Sequence, residues 1–258
     1  MDIKILLIFF YFFILTPYLL SIEFCISCHN NINHFASKGD CTLCHRGNKY
    51  TKRKDIAHTK IIKGKFAYFL MDKSYPVFKG NTIIKNAGCR RCHTIKNKGN
   101  NIAANLDISL REKEIKEILN SIKEPNTFMP KFYFRDKEAT YIINALLNGS
   151  FYGDGVKLSY LIVHFEENSI KSNPFNENCG SCHKVISKKS GPTGEGDIGP
   201  NLSGLFTKYF NNTIEIKKWN NKDLRRWIKN PRKLKDNALM PPIDINEGRV
   251  DEILEILK

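Results

Sequence analysis

Cys179-Gly180-Ser181-Cys182-His183, followed by Ile198-Gly199-Pro200-Asn201-Leu202 and then by Met240-Pro241-Pro242, is the stretch on which the fold turns. Its first five residues belong to a recurring pattern. Cys25-Ile26-Ser27-Cys28-His29, Cys41-Thr42-Leu43-Cys44-His45 and Cys89-Arg90-Arg91-Cys92-His93 repeat it, and the four copies use all eight cysteines. Two cysteines three apart can reach the two vinyl groups of one porphyrin and form thioethers, which aims the next histidine at the iron. The pattern therefore predicts four covalently bound haem c groups, attached through Cys25, Cys28, Cys41, Cys44, Cys89, Cys92, Cys179 and Cys182. His29, His45, His93 and His183 are the expected proximal iron ligands.

Other chemistries use paired cysteines. Two pairs can form a four-thiolate zinc centre, and single pairs can form local disulfides or thioredoxin-like redox sites. Neither requires a histidine directly after every pair. A thioredoxin-like site also needs a βαβ pattern around it, and none is visible here.

The N-terminus supports export. Ile5 to Ile22 is almost wholly apolar and follows Lys4, which reads as a secretory signal peptide or signal-anchor over residues 1–22. The run is long enough for a marginal membrane span, although Pro17 interrupts it. No small-residue cleavage triplet precedes Cys25, so cleavage and anchoring both stay open. The expected location is the periplasm or, with the segment retained, the membrane-anchored cell envelope. A formal charge of +15 suits acidic partners. Its lysines are spread along the chain without interleaved aromatics, which argues against nucleic-acid binding. A solubilising role for these lysines is the simpler account.

Beyond the leader, three segments are expected. Residues 23–62 hold two attachment sites only sixteen residues apart, Cys25 to Cys41, so their haems share one compact, loop-rich dihaem unit. Residues 63–150 carry the third site, followed by Gly99-Asn100-Asn101-Ile102 and a helix from Arg111 to Lys123 with Ile115, Ile118, Leu119 and Ile122 on one face. Met129-Pro130 follows, then a helix with Asp136 as N-cap, Ile142, Ile143, Leu146 and Leu147 inside it, and Gly149 as its stop. Residues 151–258 repeat the order: the fourth site, a Gly/Ser/Lys-rich surface loop from Ser187 to Gly196, and Gly199-Pro200-Asn201-Leu202. A short helix with Leu224, Trp227 and Ile228 then ends before Pro231, Met240-Pro241 follows, and a final helix carries Val250, Ile253, Leu254 and Leu257. No strand alternation recurs, so the fold class is mainly α.

The order Cys-x-x-Cys-His, Gly-Pro-Asn-Leu, helix, Met-Pro, C-terminal helix resembles the small His/Met cytochrome c fold. The resemblance implies two cytochrome c-like α-helical domains after the dihaem unit. It also implies a proline-containing loop supporting the proximal histidine and a methionine as distal ligand. Pro200 and Met240 match these positions in the fourth segment; Met129 matches in the third, with Asn100 standing where the proline would be. The whole chain also resembles multihaem cytochromes of bacterial gene clusters linked to selenite and tellurite reduction and extracellular electron transfer. That likeness rests on Cys41 to Gly47 with Ala57-His58, Cys89 to His93 with Gly99-Asn100 and Leu106-Asp107, Val163-His164-Phe165, and Ile198 to Phe206.

For the first two haems, His34 and His58 are the natural distal ligands: two histidines match two vacancies inside a short segment. A histidine in a polar stretch is more often simply exposed. His34 follows His29 by only five residues, a short path around a porphyrin edge, which assigns His34 to the second haem and His58 to the first. Met71 reads as core. His164 reads as a satisfied, half-buried histidine, with replacement of Met129 or a bond to a propionate as alternatives.

With every iron held by two protein ligands, the chain is expected to carry single electrons and to have no catalytic residue. Its partners would be other redox proteins, cytochromes among them, or an outer-membrane conduit. Met/His ligation raises haem potential, so the third and fourth haems should lie above the bis-histidine pair, with Arg90 and Arg91 raising the third further. The alternative is a reductase of oxyanions or nitrogen oxides, or a peroxidase, using a haem with an open distal position.

Overall fold

The computed structural model describes residues 23–29, 41–71, 73–126, 128–152, 173–210, 216 and 218–258. The apolar N-terminal segment, His34 and His164 lie outside the described residues. Among the described residues, no helix is long and apolar enough to cross a membrane. Regular structure there is helical apart from one two-stranded hairpin.

The chain divides into two compact units, Met1–Asp72 and Lys73–Lys258. This boundary lies beyond residue 62, and the third and fourth haem segments fall within one unit. In the first unit the described helices are short: α1 (Glu23–Cys28) and α2 (Cys41–His45) overlap the attachment motifs, and α3 (Lys54–Ala57) follows them. The chain turns after α2 at Gly47, which has φ +87, and a Cβ there would lie 2.4 Å from the Ala57 carbonyl oxygen. That close approach lets the Asn48 N–H donate to Ala57 O at 2.9 Å, while the Ile62 N–H returns to His45 O at 2.8 Å. Ile62 and Phe69 are buried; Met71, expected in the core, is 60% exposed beyond a 3-10 turn over Tyr68–Leu70.

The second unit is organised around α4 (Tyr75–Asn86) and α7 (Asp136–Tyr152), its most extensively packed helix pair. Pro76 stands in the first turn of α4, where its missing N–H has no cost. The helices approach at Gly80: an added Cβ would lie 1.9 Å from Tyr141 O and 2.7 Å from Ala145 Cβ. Gly80→Val should force them apart, at about 1–3 kcal/mol for overpacking. Thermal melts of the variant should show a lower midpoint; an unchanged midpoint would mean the crossing is not tight.

Ile142, Ile143, Leu146 and Leu147 on α7 are all buried, and truncating such a side chain typically costs about 2–5 kcal/mol. Against α7 pack α5 (Leu106–Glu112) and α6 (Ile115–Lys123). The expected single helix from Arg111 to Lys123 is thus two. Lys113 is extended, and Glu117 Oε1 accepts the Glu114 N–H at 3.3 Å, a reciprocal cap that restarts the helix. Ile115, Ile118 and Ile122 still form its buried face.

Asp136 is the first residue of α7 rather than its cap, where its carboxylate favours the positive end of the helix dipole. Gly149 does not stop α7. A Cβ there would lie 2.2 Å from Lys96 Cε, so the missing side chain makes room for a lysine stem.

The last stretch packs α8 (Pro174–Asn178), α9 (Asn221–Lys229) and α10 (Glu247–Ile256) around Phe175, Val185, Leu205, Leu224, Ile253 and Leu254. The expected surface loop from Ser187 to Gly196 is different. It contains half of an antiparallel hairpin, β1 (Val185–Ser187) paired with β2 (Gly191–Thr193), with Val185 opposite Thr193. Thr193 is buried because two asparagines hold it: Asn173 Nδ2 donates to its Oγ1 at 2.8 Å, and that hydroxyl donates to Asn176 Oδ1 at 2.9 Å.

Candidate haem iron sites

Each attachment motif closes a helical turn. The histidine N–H donates to the carbonyl of the first cysteine in His29–Cys25 (3.0 Å), His93–Cys89 (3.0 Å) and His183–Cys179 (2.9 Å). In the second motif, Cys41–His45 is itself an α-helical turn. This local geometry gathers two thiols and an imidazole within one turn. The described cysteine sulfurs are not paired with one another. Burial pushes the thiols of Cys89 and Cys179 up to about 11. Burial raises Cys92 as well, so neither thiol of the third motif has the depressed pKa that a thioredoxin-like pair needs. Among the described residues, no three or more His, Cys, Asp and Glu side chains gather into a metal shell.

The imidazoles carry the clearest signal. Nδ1 of His45 lies 2.8 Å from Ile62 O, Nδ1 of His93 lies 2.8 Å from Ala104 O, and Nδ1 of His183 lies 2.8 Å from Pro200 O. A carbonyl can only accept, so each Nδ1 carries the proton and donates it. The tautomer is then fixed with a bare Nε2, and an orienting partner of this kind is what metal-bound histidines use. Burial pushes the His93 pKa down, while the Ala104 carbonyl pushes it up.

Ala104 replaces the expected role of Asn100. The third and fourth segments correspond as Ala104-Asn105-Leu106 to Pro200-Asn201-Leu202, shown by matching backbone bonds. Leu106 N–H donates to Thr94 O at 3.0 Å, and Leu202 N–H donates to Lys184 O at 2.8 Å. One residue further on, fully buried Asp107 and Ser203 also play equivalent parts: Asp107 Oδ1 accepts the Lys96 N–H at 3.1 Å, and Ser203 Oγ accepts the Ile186 N–H at 2.8 Å. Asn100 instead donates its N–H to Arg90 O at 2.9 Å.

Distal candidates fall into two groups. His58 is brought beside His29, with ring centroids 5.9 Å apart. Two imidazoles on opposite sides of one metal, each bonded at about 2 Å, have centroids roughly 6 Å apart. The structure thus brings together the histidine of the first motif and one of the two expected distal histidines; His34 lies outside the described residues. Met240 is half-buried and its Sδ accepts a hydrogen bond from Trp227 Nε1 at 3.1 Å. A thioether sulfur has two lone pairs, so one remains for a metal. Trp227 is set edge-on against Trp219, centroids 5.8 Å apart. Met129 is also half-buried, in a turn where its N–H donates to the backbone and side-chain oxygens of Asn126, each at 3.1 Å.

The residues fit a flat iron porphyrin. Gly199 leaves a cradle beside the His183 ring: a Cβ there would lie 2.2 Å from His183 Cε1. Arg90 Nε, within the third attachment loop, is buried with no acceptor among the described residues, a place for an acidic group of the cofactor. Sequence reasoning missed Trp227, Ala104 and the Ile62 carbonyl. The Asn-Leu pair shared by residues 105–106 and 201–202 was a signal for Ala104; no sequence signal marks Ile62, whose backbone alone acts.

Residues 172–255 match the family model described as Cytochrome c. No curated protein and no solved structure matches the chain. The matched segment contains the fourth attachment motif, Pro200 and Met240. A cytochrome c domain at the C-terminus implies covalently bound haem c, electron transfer and redox-protein partners.

Proposed function

We propose that the chain is an exported tetrahaem c-type cytochrome that relays single electrons between redox proteins in a respiratory or extracellular electron-transfer chain. The observation that carries this reading is the repeated 2.8 Å contact from Nδ1 of His45, His93 and His183 to a backbone carbonyl. It extends the signature of the matched C-terminal domain to two motifs outside it, and the His29–His58 contact supplies the fourth.

Each haem, when bound, supplies a one-electron ferric/ferrous couple. The chain's own residues do the rest. The cysteines fix the group, the carbonyl-bound imidazoles present Nε2, and the distal side chains close the remaining position. His58 serves the first haem, His34 the second, Met129 the third and Met240 the fourth. Fixed protein ligands limit rearrangement around the metal during transfer, which suits a carrier. The Met/His sites lie at higher potential than the bis-histidine pair, giving a downhill direction from the N-terminal unit toward residues 73–258. The segment 1–22 directs export to the periplasm or holds the protein at the membrane, and partners are cytochromes or an outer-membrane conduit.

The test is the reduced-plus-CO minus reduced absorption spectrum of haem-loaded protein. A carrier with four closed irons shows no CO-dependent change. A CO complex at neutral pH would contradict it and give the reductase or peroxidase alternative its open position.

A further inference from the structure

Arg91 sits inside the third attachment motif, yet its side chain reaches the fourth segment. Nε donates to Ser203 O at 3.0 Å, Nη2 donates to Asn201 O, and the guanidinium lies over the Phe210 ring, 4.3 Å from its centroid. Backbones approach closely at the same place. Gly204 has φ +67, and a Cβ on it would lie 2.7 Å from Arg91 O. A second link runs beside it: Asn201 Nδ2 donates to Phe128 O at 3.0 Å, next to Met129. The gripped loop begins at Pro200, whose carbonyl orients His183. The third segment therefore holds the histidine-supporting loop of the fourth from both its attachment motif and its methionine turn.

We propose that Arg91 is a positioning residue that locks the third and fourth haem sites into one fixed electron-transfer pair whose potentials move together. This rests on the tetrahaem reading above. Among the described residues, no carboxylate lies within ion-pair distance of Arg91; carbonyl dipoles and an aromatic face meet its charge. A positive charge so placed disfavours the more positive ferric state at both neighbouring sites. The planar fork matters as much as the charge. It reaches two carbonyls at once and stacks on Phe210, and a lysine ammonium does neither in that arrangement.

The experiment is a redox titration of full-length, haem-loaded protein, with the third and fourth haems resolved by their paramagnetically shifted methyl resonances in NMR. Arg91→Gln should lower the potentials of both haems. Arg91→Lys should restore the third but leave the fourth low, because the charge returns without the grip on Asn201 and Ser203. Asn201→Ala, which keeps the charge, should also displace the fourth haem's potential. A shift confined to the third haem in all variants would overturn the proposal, reducing Arg91 to a local charge. Fewer than four haems, or no methionine-ligated methyl signature in the unmodified protein, would instead defeat the underlying functional reading.

Discussion

Met240→Ala should convert the fourth haem from a site closed to carbon monoxide into one that binds it, and should lower its midpoint potential. The sulfur is held in place from the protein side. Trp227 Nε1 donates to Sδ at 3.1 Å, and Trp227 is braced edge-on by Trp219. Alanine supplies no donor atom. Axial ligand identity spans about 0.8 V across haem proteins, so exchanging a thioether for water or for nothing has a large effect. Met240→His is the informative companion: it keeps a sixth ligand, so CO stays excluded while the potential still falls. Potentiometry and the CO difference spectrum check both variants. Unchanged spectra in Met240→Ala would remove Met240 from the site. Trp227→Phe should give a smaller fall, since it loses only the hydrogen bond that draws electron density from the sulfur.

The second large effect is expected at Gly199. A Cβ at this position would lie 2.2 Å from Cε1, 2.5 Å from Nδ1 and 2.8 Å from Nε2 of His183. Such distances are far inside van der Waals contact, so in Gly199→Ala either the ring or the loop must move. Either movement strains the 2.8 Å bond from Nδ1 to Pro200 O that fixes the ring's direction. The overpacking alone should cost about 1–3 kcal/mol. With the porphyrin held covalently through Cys179 and Cys182, as proposed, the variant should have the same covalent haem content as the unmodified protein by denatured mass. One iron, however, should lose its low-spin His/Met signature in electron paramagnetic resonance. Ile198→Ala is the control: Ile198 is 86% exposed, and its truncation should leave that signature intact. A normal signature in Gly199→Ala would show that the cradle is not filled by the His183 ring.

The proximal chemistry was legible in the sequence because it is local. Five residues within one helical turn place both cysteines and the histidine, and no tertiary information is needed. The fourth segment was legible for a related reason: Pro200 and Met240 follow in an order that helix signals punctuate well. What the sequence hid depends on backbone atoms and on packing between distant segments. Ile62 and Ala104 act through carbonyls, which any residue type can offer. Gly149 reads as a helix stop by composition, yet it accommodates the Lys96 stem inside a continuing helix. The break before Ile115 was masked because α5 and α6 share an apolar pattern across the extended Lys113. Arg91 looked like a charge beside one haem. Its contacts with Asn201, Ser203 and Phe210 arise only once the third and fourth segments are packed together.

The count of covalent haems tests the central claim most directly. Protein produced with a cytochrome c maturation system should show, by intact mass under denaturing conditions, four haems per chain that acidified organic solvent does not extract, one for each of the four Cys-x-x-Cys-His motifs. A single haem confined to residues 172–255, with free thiols at Cys25, Cys28, Cys41, Cys44, Cys89 and Cys92, would contradict it.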